Sequence, residues 1–89
     1  MITFDNLLFI AHPHVKGAIM TQIRGLKEKG GKVISIVCGT GMYSTSQAGN
    51  RAECDRVEDA GSFEVMVGDD DPMGWLSRED INKILAENF

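Results

Sequence analysis

The chain alternates between tight apolar runs and stretches of wider apolar spacing. Asn6-Leu7-Leu8-Phe9-Ile10-Ala11 is apolar after its first residue, as expected of a strand covered on both faces. Pro13 favours extended backbone at His12 and ends that strand. From Val15 the spacing widens. Val15, Ala18, Ile19, Ile23 and Leu26 share one helical face, Arg24, Lys27 and Glu28 take the other, and Gly30-Gly31 supplies a stop. Val33-Ile34-Ser35-Ile36-Val37-Cys38 is a second apolar run. Strand, helix and strand predict a βαβ unit with a right-handed crossover.

Gly39 to Gly49 reads as a loop rich in Gly, Ser and Thr. Asn50, with Glu53 three residues on, predicts a capped helix from about Arg51 to Ala60 that carries Cys54, Val57 and Ala60 on one face. Phe63–Val67 is a third strand, and Gly68–Pro72 an acidic turn. Ser77 and Asp80 predict the start of a last helix, with Leu76 and Ile81 at hydrophobic-staple spacing. The predicted order is βαβαβα. It implies a single domain over residues 1–89, α/β in class: a small Rossmann-like three-layer fold with a three-stranded parallel sheet.

Composition narrows the function. The chain has 89 residues, is 43% hydrophobic and 25% charged, and carries a formal net charge of −4. That balance argues against nucleic acid and anionic membranes as partners, because phosphate contacts need clustered Lys and Arg. Only Lys27, Lys29 and Lys32 lie close together. Cys38 and Cys54 have neither disulfide-framework density nor metal-knuckle spacing, so a reduced, cytoplasmic setting is expected. The N-terminus lacks the pattern of a signal peptide, and no segment approaches the ~20 apolar residues of a membrane span.

The candidate chemistry begins at His12 and His14, the only histidines, at the carboxyl end of the first strand. Open α/β sheets bind ligands there. In extended backbone the two imidazoles would point to one side and could hold a metal such as zinc, with a carboxylate or thiolate from elsewhere. The plainer alternative is a solvated loop. The segment Cys38-Gly39-Thr40-Gly41-Met42-Tyr43-Ser44 partly matches a dinucleotide fingerprint and is similar to the phosphocysteine loop of sugar-phosphotransferase IIB subunits. Gly39, Thr40, Gly41 and Ser44 are therefore candidates for a small polar ligand of sugar or phosphate type, against the reading of a connector with a buried thiol. Arg51 is either a contact for such a ligand or an exposed first-turn residue. Asp69, Asp70 and Asp71 form either a cation site or a solvated turn. Tyr43 and Trp75 read as packing residues.

Ala11-His12-Pro13, the Gly/Thr loop, Arg51-Ala52-Glu53, Ala60-Gly61 and Gly68-Asp69 together resemble the layout of the PIG-L/LmbE deacetylases. Those are zinc-dependent enzymes that remove acetyl from N-acetylglucosamine-type sugars. The resemblance places His12 on a metal-ligand histidine and His14 on the general base, the one catalytic candidate. It places Arg51 near the active site and Asp69 in a later motif. It also places Val15 on a metal-ligand aspartate and Lys16 on a glutamate, and valine cannot bind metal. The chain covers the first half or less of a family member. The implication is a shortened relative without catalysis and without a cofactor, a pseudoenzyme acting as a binding or regulatory module through self-association or a small ligand. The alternatives are a residual zinc-dependent N-deacetylase using His12 and His14, with Glu53 or Asp69 as base, and a phosphate- or nucleotide-binding module using loop 39–46. In the family's strand order, residues 6–11 would form an open apolar edge, which implies a homodimer paired through it.

Overall fold

In the computed structural model, which describes residues 2–47 and 53–89, the strands run antiparallel. β1 (Ile10–Ala11), β2 (Ala18–Arg24), β3 (Val33–Gly39), β4 (Phe63–Val67) and β5 (Met73–Leu76) lie side by side in chain order, and α1 (Arg78–Asn88) follows them. This corrects the expected Rossmann-like α/β fold and its three-stranded parallel sheet. The domain is mostly sheet, five antiparallel strands in one meander, with a single α-helix among the described residues.

The decisive difference lies at residues 15–26, expected as a helix. Ala18–Arg24 is instead the strand β2, paired with β3 from Ala18 opposite Gly39 to Arg24 opposite Val33. Ile19 and Thr21 are buried while Gln22 and Arg24 are exposed, which is the period-2 pattern of a strand with one face on a core. Gly30 and Gly31 have φ of 106° and 59°, so they turn the chain back rather than end a helix. Residues 25–32 could not carry a parallel crossover, which needs a dozen or more residues.

Two other expectations shift. Phe4–Asn6 is a 3-10 turn, and only Ile10–Ala11 of the first apolar run pairs as strand, against Met20 and Ile19. Arg51 and Ala52 lie outside the described residues, and Val57–Asp59 is a single 3-10 turn rather than part of a longer helix. The strands at 33–39 and 63–67 and the start of α1 agree with the sequence. Ser77 Oγ accepts the Asp80 N–H at 3.1 Å, and Asp80 Oδ2 accepts the Ser77 N–H at 3.0 Å.

One face of the sheet carries the core. Ile19 of β2, Ile34, Ile36 and Cys38 of β3, and Phe63, Val65 and Val67 of β4 pack under Ile81 and Leu85 of α1 and under Phe4 and Leu7. Phe4, Phe9 and Phe63 form a triangle of rings with centroids 5.2–5.6 Å apart. The Arg78 guanidinium lies over the Phe4 and Phe63 rings, 5.1 and 5.4 Å from their centroids, and donates to the Val57 carbonyl at 3.0 Å. The helix end is tied to the β2–β3 turn by the Leu26 N–H donating to the Asn88 carbonyl at 2.8 Å.

Two outcomes check this architecture. Phe63→Ala lowers the free energy of urea unfolding by about 3–5 kcal/mol, because the ring lies at the centre of the core. The second concerns pH. The backbone N–H and then the hydroxyl of Ser77 hold the Asp80 carboxyl below the usual carboxylate range. Its contribution is therefore present above the ordinary carboxylate pKa of about 3.9 and is lost as pH falls through the depressed value. Asp80→Asn loses less stability than the wild type between pH 5 and pH 2, read from urea midpoints across that range.

Candidate functional site

The antiparallel meander sets which candidates meet. The 12–17 turn, the end of β3 and the described parts of the connection to β4, residues 40–47 and 53–62, share one end of the sheet. The turns at 25–32 and 68–72 share the other. His12, His14 and the 39–44 loop are thus at the same end. Asp69 is at the opposite end, exposed on the β4–β5 turn, and joins neither group. Arg51 lies outside the described residues.

His12 and His14 sit in a turn rather than in extended backbone, with ring centroids 6.2 Å apart and edge-on. His12 Nδ1 accepts the backbone N–H groups of His14 at 3.1 Å and Val15 at 3.2 Å. That nitrogen caps the turn, which leaves Nε2 as the ring atom free for a ligand. Among the described residues, no group of three or more His, Cys, Asp or Glu side chains is placed to hold a metal ion.

A phosphate-binding loop must aim free backbone N–H groups at its ligand. Here they are engaged within the protein. The Gly39 N–H donates to Ser44 Oγ at 3.0 Å, Thr40 to the Gly17 carbonyl at 3.2 Å, Met42 to the Gly39 carbonyl at 3.0 Å and Tyr43 to Glu64 Oε1 at 2.9 Å. The Ser44 hydroxyl is therefore a local cap, and the Thr40 hydroxyl reaches the Gly17 carbonyl at 3.4 Å. Gly39 is a packing glycine. At φ 138° a Cβ there would lie 2.4 Å from the Gly17 carbonyl oxygen and the Ala18 Cα. Gly41, in contrast, has no atom within 4 Å of where a Cβ would stand.

The cysteine chemistry is closed as well. Cys38 and Cys54 are free and buried, with Cys54 Sγ donating to the Arg56 carbonyl at 3.2 Å. Burial, and then the hydrogen bond with the adjacent Cys38 thiol, pushes the Cys54 pKa up to about 12. A nucleophile or metal ligand needs the thiolate, so this pair is placed for packing.

What stays open is a polar cleft of about 340 Å³ beside the histidine turn, lined by Lys16, Gly17, Thr40, Glu53 and Asp55. A second, of about 350 Å³, lies at the far end between Lys29, Lys32, Asp70, Met73 and Ile84. Glu53, a candidate base, lines the first. The residues that sequence reasoning passed over are Tyr43 and Trp75. Expected as packing residues, they are 57% and 61% exposed and lie against each other, with centroids 5.3 Å apart and ring planes inclined at 42°. Their signal was the Pro72-Met73-Gly74-Trp75 segment, where a glycine beside a tryptophan marks a close backbone approach. A Cβ at Gly74 would stand 2.6 Å from Tyr43 Cβ.

No protein-family model, curated protein or solved structure matches the chain.

Two measurements test these assignments. Gly39→Ala destabilises the fold by about 2 kcal/mol or more in urea unfolding, from left-handed strain plus the backbone clash. The folded chain keeps the Cys54 proton to higher pH than the unfolded chain does, so stability falls as pH rises from about 9 towards 12. Cys54→Ala flattens that alkaline decline.

Proposed function

We propose that the protein is a non-catalytic binding module that works as a homodimer, its copies paired through the strand edge at Leu7–Ala11. The observation that carries this reading is an exposed apolar edge. Ile10 of the outermost strand is 61% exposed, and Leu8, in the segment that leads into it, is 85% exposed. Native edges are normally blunted by shortness, charge, proline or a bulge, and β1, two residues long, has only the first of these. Residues 7–11 contain no charge and no proline.

The hydrogen-bond pattern adds a register. The His12 N–H donates to the Ala18 carbonyl at 2.8 Å, so His12 faces β2. Alternation turns the backbone groups of Ala11 and Phe9 outward. A two-fold axis at Phe9 then pairs Phe9 with its own copy and sets Leu8 opposite Ile10 of the second copy. Both side chains lie on the face away from the core, where Ile10 stands beside Met20. An uncharged segment pairs with itself without like-charge repulsion.

This reading keeps the self-association and loss of catalysis implied by the resemblance to the deacetylases and leaves their zinc chemistry aside. The strand–helix alternation of that layout is absent here, and His12 Nδ1 already holds a turn. The cytoplasmic setting belongs to the same proposal, supported by two adjacent thiols that stay unbridged. No helix among the described residues is long and apolar enough to cross a membrane.

Native mass spectrometry of the wild type gives a dimer, and Leu8→Lys gives a monomer that keeps the wild-type circular dichroism spectrum, its melting temperature lowered only by the lost association. Mixing Leu8→Cys with Ile10→Cys protein under oxidation yields the mixed crosslink in preference to Leu8→Cys paired with itself. A wild type that stays monomeric at high concentration overturns the proposal.

A further inference from the structure

At the opposite edge of the sheet, Tyr43 and Trp75 are held in place by more structure than packing requires. The Trp75 N–H donates to the Tyr43 carbonyl at 2.8 Å, and the Tyr43 N–H donates to Glu64 Oε1 at 2.9 Å. The β4–β5 register shifts between Phe63 and Val65, opposite this point. Trp75 itself has φ 56°, the one positive φ outside glycine among the described residues. A bulky residue in that region is a true outlier, and such strain persists only where surrounding contacts enforce it. Here the enforced conformation presents an indole to solvent.

The third member is Glu64. It opposes Val37 on the face of the sheet away from the core and is half-buried. Its Oε1 takes the Tyr43 N–H, and its second oxygen accepts nothing from the described residues. The ion pairs among those residues are Arg56 with Glu58 and with Asp59, so no described cation neutralises Glu64. Arg78, close in sequence, is turned onto the Phe4 and Phe63 rings.

The geometry points to Tyr43, Trp75 and Glu64 as a site for an arginine side chain of a partner polypeptide. A guanidinium is planar, stacks on indole and phenol faces, and donates hydrogen bonds to a carboxylate in the same plane. It can thus lie over one of the two rings, which are inclined at 42° to each other, and donate to the open Glu64 oxygen. An ammonium supplies the charge without the planar stack. A sugar or a base uses the rings and leaves the carboxylate unpaired. The net charge of −4 favours a basic partner over long range as well. This site is independent of the β1 edge and stands whether or not the protein dimerises.

Trp75 is the only tryptophan, so its emission reports the site directly. The test is a fluorescence titration with three short peptides that carry three arginines, three lysines or three citrullines in the same frame. The expected result is a saturable change with the arginine peptide, a weaker one with lysine and none with citrulline. Glu64→Gln keeps the acceptor for the Tyr43 N–H and weakens arginine binding about three- to tenfold. Added salt weakens it in the wild type. Equal responses to the arginine and citrulline peptides overturn the proposal on the wild type alone, and so does an unchanged affinity in a folded Glu64→Gln protein.

Discussion

Among the described residues, one α-helix of 11 residues has to cover a five-stranded sheet. At 1.5 Å per residue it is about 16 Å long, enough to roof one face of the central strands and no more. That limit organises the molecule. β3 sits at the middle of the sheet with Ile34, Ile36 and Cys38 fully buried beneath α1. The Phe4–Phe9–Phe63 triangle extends the roof where the helix ends, and the Arg78 guanidinium closes the seam between the two. The other face keeps a mixed surface of Met20, Gln22, Arg24, Ser35, Val37, Glu64 and Met66, and whatever the protein binds has that face and two strand edges to use.

The same limit explains what could be read in the chain. β3 and β4 were legible because their apolar, β-branched residues have no helical alternative of useful length. The start of α1 was legible because Ser77 and Asp80 cap each other through short-range bonds that need no tertiary context. β2 was not. Ile19 and Ile23 are four apart, so they satisfy a helical stripe, and Thr21 between them looks polar. In the fold Thr21 is buried on the same side, and the row Ile19, Thr21, Ile23 is a strand face. The choice was made by the pairing of all of β2 with β3, a long-range contact that no window of residues contains. Once that helix became a strand, the crossover vanished and the parallel sheet with it.

The candidate site shifted for a related reason. Gly39, Thr40 and Ser44 have the composition of a ligand loop, and composition does not say where the donors point. Their N–H and hydroxyl groups close the loop onto Gly17, Gly39 and Ser44, so their chemistry is internal. The shared location of the loop and the histidine turn was legible, because both follow strands that end on the same side. The aromatic pair was not, because Tyr43 and Trp75 are far apart in sequence and meet only after β5 folds back along β4.

The two edges of the sheet are finished differently, and the difference separates their roles. At β5 the Tyr43 carbonyl occupies the Trp75 N–H, a register shift bends the strand, and a charged turn precedes it. These are the devices that stop one strand from adding to another, and they favour recognition by side chains at that edge. At β1 the strand is short, with two paired residues, but residues 7–11 carry no charge, proline or register shift, and backbone pairing stays open. Pairing two copies there would place Lys16 and Arg24 at the margin of the contact rather than in its apolar centre. Screening over about 8 Å at physiological salt reduces their repulsion. It would also carry the Tyr43–Trp75 pairs to the two outer ends of one continuous sheet. A sheet roofed by α1 on one face would in this way join one edge to a copy and keep the other for a partner.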